Sequence, residues 1–81
     1  MSDVNTATNI LHDLYRKALA TDDAWMAEIK RAFPSERAGD VRYTEKGHGE
    51  PGTLLADAYA AFRAASDALH VATRKARAEA T

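Results

Sequence analysis

The sequence has no cysteine, which excludes a disulfide framework, a thiol nucleophile and any zinc site built on thiolates. It has no apolar run near the ~18 residues of a membrane span. Met1–Asn5 shows neither the basic start nor the apolar stretch of a signal peptide. A cytoplasmic chain with no membrane partner is therefore expected. Net charge is also nearly absent, at -1, which gives no general attraction to nucleic acid and argues against it as a partner. Large apolar side chains are scarce as well. Leu, Ile, Val and Phe together number 13 of 81 residues, under the ~20% that marks many disordered chains. Ala makes up most of the difference, with 18 copies.

What is present are strong helix formers in periodic order. Ile10, Leu11, Leu14, Tyr15, Ala18 and Leu19, then Trp25, Met26, Ile29, Ala32 and Phe33, recur in the three- and four-residue steps of one helix face. Thr6, Thr8 and Asn9 are suitable caps for its start. Thr21-Asp22-Asp23 reads as a second helix start, yet the spacing 11, 18, 25, 32 runs through it in phase. A continuous or gently kinked helix over about 8–33 is favoured over a broken pair. Pro34 stops it, because proline disfavours the α conformation in the residue before it.

Residues 34–52 hold all four glycines, at 39, 47, 49 and 52, and both prolines. They read as a long loop, with Val41-Arg42-Tyr43-Thr44 as an extended stretch. Residues 53–80 then form one long helix, capped by Thr53 or opened by Pro51. Asp57 lies near its positive end; Arg74, Lys75 and Arg77 lie near its negative end. Its seam repeats every seven residues: Leu55, Phe62, Leu69 and Ala76, with Ala58, Ala65 and Ala72 between. Alternating large and small residues lets a facing helix approach closely.

Motifs that suggest chemistry are weak when tested against what the chemistry needs. Gly47-His48-Gly49-Glu50-Pro51-Gly52 matches a dinucleotide fingerprint, but too little chain follows it to complete a strand–helix–strand unit. A Gly-rich helix entry can still hold an anion, with Arg42, Tyr43, Lys46, His48, Gly49 and Thr53 as its ligand-binding residues. Ser66, Asp67 and His70 share one helix that offers no oxyanion hole. His12-Asp13 and Asp67-x-x-His70 lack the further ligands a metal needs. No catalytic residue, metal or cofactor is assigned, and the chain is not expected to be an enzyme.

The sequence thus predicts a single all-α domain over 1–81. It is an antiparallel helical hairpin with a long Gly-containing loop, and it oligomerises into a bundle that completes a thin core. Leu55, Phe62, Leu69 and Trp25 are the expected interface residues, although the helical spacing of Trp25 favours a core position. The expected function is stoichiometric binding of a protein partner or of itself, as an inhibitor, adaptor or assembly subunit. The alternative is an oligomer binding a small anionic ligand, such as a nucleotide, at the loop and second-helix N-terminus.

Overall fold

A computed structural model describes residues 3–80, with side-chain surroundings for 8–79. Helix α1 spans Asp3–Ala32, α2 Ala38–Val41 and α3 Leu54–Ala80. A 3-10 turn covers Glu45–His48. The described residues contain helices and turns and no strand, so the chain is all-α.

Helix α1 runs through Thr21-Asp22-Asp23 without a break. The Thr21 hydroxyl donates back to the carbonyls of Lys17 (2.8 Å) and Ala18 (3.1 Å), so it serves its own helix instead of capping a new one. The helix also begins earlier than the expected residue 8, which places Thr6, Thr8 and Asn9 within it and not at its cap. The polar start at Met1 and Ser2 lies outside the described residues. Pro34 ends the helix as expected, with the Phe33 N–H still donating to the Ile29 carbonyl at 2.8 Å.

The connection between the long helices is more ordered than the sequence suggests. Val41-Arg42-Tyr43-Thr44 is not an extended stretch. Val41 closes α2 and is buried, and both the backbone N–H and the hydroxyl of Thr44 donate to its carbonyl, at 2.9 and 2.7 Å. Burial of Val41 overrides the β preference of a branched side chain. Helix α3 then starts on a side-chain cap. The Thr53 hydroxyl accepts from the Ala56 N–H at 3.1 Å and donates to the Glu50 carbonyl at 2.7 Å.

Helices α1 and α3 pack as an antiparallel hairpin. Trp25 meets Tyr59 and Phe62 near the connection, and Leu11 and Tyr15 lie beside Leu69 and Thr73 far from it. The heptad seam of α3 faces α1: Leu55 and Ala65 are buried, and Ala58, Phe62, Leu69, Ala72 and Ala76 are half-buried. The core lies at one end. Trp25, Ile29, Ala38, Val41 and Leu55 form it, with Met26, Phe33, Ala58, Tyr59 and Phe62 packed around them. The molecule measures 51 × 23 × 18 Å with a radius of gyration of 15.6 Å, against about 12 Å for a compact domain of this length. No helix among the described residues is long and apolar enough to cross a membrane.

Candidate functional site

The closed end of the hairpin is organised around Trp25. Its indole is 3% exposed, and its N–H donates to the Gly47 carbonyl at 2.8 Å. Phe62 stacks on the ring at 4.9 Å between centroids, and Tyr59 tilts against it at 5.0 Å. The Arg42 guanidinium covers the cluster. It lies 4.8 Å from the Trp25 ring centroid and 5.7 Å from that of Phe62, and it donates to Asp22 at 2.7 Å. That places a cation on aromatic faces and beside a carboxylate, two attractions that reinforce each other away from bulk water.

Gly47 and Gly49 owe their places to packing. A Cβ on Gly47 would stand 2.4 Å from the Val41 carbonyl oxygen, and one on Gly49 would stand 2.5 Å from the Ala56 nitrogen. Gly49 also has φ of 78°, a region L-residues rarely adopt. Their N–H groups are used within the loop: Gly47 donates to Thr44 (3.1 Å) and Gly49 to Lys46 (3.3 Å). These donors are not directed together at an external anion.

The other expected ligand-binding residues also have partners in the chain. Arg42 holds Asp22, and Lys46 pairs with Glu36 while lying 5.3 Å from the Phe33 ring centroid. The His48 ring stacks on Tyr59 at 4.1 Å. Thr53 caps α3. Tyr43 is 83% exposed, with the Arg42 guanidinium 5.6 Å from its ring centroid. Lys46, Gly49 and Thr53 do line one depression of about 610 Å³, floored by Phe33 and Leu55. Its charged lining mixes Arg31 and Lys46 with Glu45 and Glu50, so it carries no net positive field.

Of the expected interface residues, Trp25 and Leu55 lie in the chain's own core and have almost no surface left for a partner. Phe62 and Leu69 remain half-buried. Open apolar surface lies at both ends of the hairpin: Tyr43 and Leu54 are 83% and 62% exposed at the closed end, and the remainder lies along the other half. Beyond Trp25 and Phe62 no loop covers the two helices, and Ala65 is the buried hydrophobic residue there. Ile10, Tyr15, Leu19 and Val71 are each about half exposed or more, and Leu11, Leu14 and Leu69 are half-buried.

Tyr15 and Leu19 belong to a continuous stripe. Thr8, His12, Tyr15, Leu19, Asp22 and Met26 follow one another in steps of four and three, hence along one side of α1. Arg42 covers this stripe at Asp22; at Leu19 and Tyr15 it is open. A shallow groove of about 360 Å³ runs beside it, lined by Thr8, Leu11, His12, Tyr15, Leu69 and Thr73. The sequence period places Tyr15, Leu19 and Met26 among the apolar residues of one helix face, but a single helix does not show how wide an arc its neighbour covers.

Among the described residues, no three His, Asp or Glu side chains gather in a way that could hold a metal ion. Ser66 is half-buried and Asp67 and His70 are exposed, the last two lining an open side of α3 with Arg74 and Arg77. No family model, no curated protein and no solved structure matches this chain.

Proposed function

We propose that this chain is a non-enzymatic interaction module that acts by stoichiometric binding of a protein, with the open half of the hairpin as its docking face. The observation that carries this is the uneven covering of α1 and α3. Where the 34–52 connection lies on them, Trp25 is buried and Phe33, Tyr59 and Phe62 are packed around it. Where it does not, Ile10, Tyr15 and Leu19 stand half in water. A third element over two helices is what a bundle needs to close its core, and a partner helix can supply it. Half-exposed Tyr and Leu beside a groove are also the kind of anchors that helix-in-groove recognition uses. A small anionic ligand is the weaker reading, since the groups that would hold it already have partners in the chain.

Site-specific photocrosslinking in the producing cell tests the module. A photoreactive residue at Leu19 should give a discrete covalent adduct, and one at exposed Ser35 should not. Equal or absent labelling at the two positions would remove this reading.

A further inference from the structure

Two depressions of the open half share a wall, and together they describe what fits them. We infer that the partner's docking segment is an amphipathic helix with carboxylates along one edge, its apolar side in the groove between α1 and α3 and its acids on Arg74 and Arg77. This rests on the module reading above and gives the partner its chemistry.

The shared wall is Thr73. On one side of it lies the groove between the helices, with Leu11, Tyr15 and Leu69 as its apolar lining. On the other lies a hollow of about 520 Å³ along α3, lined by His70, Arg74 and Arg77 with Asp67 and Val71. Thr73 itself is half-buried, and its hydroxyl donates to the Leu69 carbonyl at 2.8 Å, so its donor is already used within α3. A segment lying across Thr73 therefore meets apolar side chains on one flank and arginines on the next.

The charges are unbalanced there. Arg74, Arg77 and Asp67 are the Lys, Arg, Asp and Glu side chains that line the two depressions. Asp67 also lies four residues after Arg63. The charged form of Arg63 is favoured first by its hydrogen bond to the Tyr59 hydroxyl, at 3.0 Å, and then by Asp67. Arg74 and Arg77 are exposed and have no ion-pair partner among the described residues. Two arginines beside an apolar groove complement acids at the polar rim of a contact, and a guanidinium takes a carboxylate through two parallel hydrogen bonds.

The geometry favours a helix as their bearer. Among the described residues there is no strand edge for an extended peptide to join, whereas a groove between two antiparallel helices accepts a third. From Thr8 to Tyr15 the groove runs about 10 Å along α1, two turns of a facing helix. Arg74 and Arg77 stand about 4.5 Å apart along the axis of α3, so acids three or four residues apart on the partner reach both. Nucleic acid is the poorer fit, because a net charge of -1 supplies no long-range attraction to a phosphate backbone.

Titration of the full chain into defined probes tests the inference. The probe is a short labelled Ala-based helical peptide with Leu on one face and Glu pairs along one edge. The controls are the same peptide with Lys for Glu, a short DNA duplex and phosphatidylserine vesicles. Fluorescence anisotropy should show the Glu peptide binding, more weakly as salt is raised, and the Lys peptide not binding. R74Q/R77Q should weaken the Glu peptide about tenfold with unchanged circular dichroism at 222 nm. R74E/R77E should lose the Glu peptide and gain the Lys peptide. K75E, in the depression on the other side of the seam with Ala72 and Ala76, should change neither. Equal binding of the two peptides, binding of neither, a Glu peptide indifferent to the arginine substitutions, or a preference for duplex or vesicles overturns the inference. A protein crosslinked to Leu19 in the cell whose yield is unchanged by R74E/R77E would overturn the acidic partner alone and leave the module standing.

Discussion

Four glycines show how differently one residue type is used within a single connection. Gly49 combines positive φ with a backbone neighbour at 2.5 Å, and Gly47 meets the Val41 carbonyl at 2.4 Å. Gly52 has φ of 87° with open space around its Cβ position, and Gly39 has neither constraint. Urea denaturation of four Ala variants should therefore rank them. Gly49→Ala loses about 3 kcal/mol, from strain and overpacking together. Gly47→Ala loses about 2 kcal/mol from overpacking, and Gly52→Ala about 1 kcal/mol from strain. Gly39→Ala, inside α2, gains about 0.5 kcal/mol because Ala restricts the unfolded chain. A flat series would contradict this account. The sequence marks residues 47–52 as conformationally special. It does not contain the reason, because Val41 and Ala56, the backbones that crowd Gly47 and Gly49, are brought there by folding.

Among the elements, α3 is the one whose limits the sequence states most clearly. A Thr followed by a long run of good helix formers is a local signal, and the cap geometry at Thr53 agrees with it. Thr53→Ala should lower stability by about 1 kcal/mol. The end of α1 is equally local, set by Pro34. The tie between α1 and the connection is not. Arg42 and Asp22 are twenty residues apart, and their side chains are only 21% and 30% exposed. A double-mutant cycle with Arg42→Met and Asp22→Asn should find a coupling of about 1 kcal/mol, toward the upper end for partly exposed pairs. Arg42→Met keeps a hydrocarbon stem over Trp25, so it should unfold less readily than Arg42→Ala. Additive single effects would mean that Arg42 acts by covering the aromatic rings alone.

At the scale of the molecule, stability should be graded along the hairpin. The closed end has aromatic stacking, a buried indole hydrogen bond and the α2 cover; the open end has Ala65 and half-covered aliphatic side chains. In dilute solution, amide hydrogen exchange should be slowest for 25–32 and 55–62, approaching the global unfolding free energy. Residues 8–18 and 69–79 should exchange through local opening well below it. Uniform protection along both helices would contradict the graded hairpin.

The sequence by itself determined that this protein is helical, roughly where its two long helices lie, how α1 is stopped and how α3 is capped. Helix period, proline and capping chemistry act within a few residues of one another, so a linear reading captures them. It also determined the Leu/Ala seam that lets α1 and α3 approach. Only the tertiary structure decided what that seam serves. It decided that Trp25 and Leu55 are core, that the 34–52 connection is a folded cover in place of an open loop, and that the cover stops at Asp22. Each of these depends on which surfaces meet across long separations in the chain. An apolar stripe is the same in sequence whether it is buried or bare, and here the packing leaves Tyr15 and Leu19 bare.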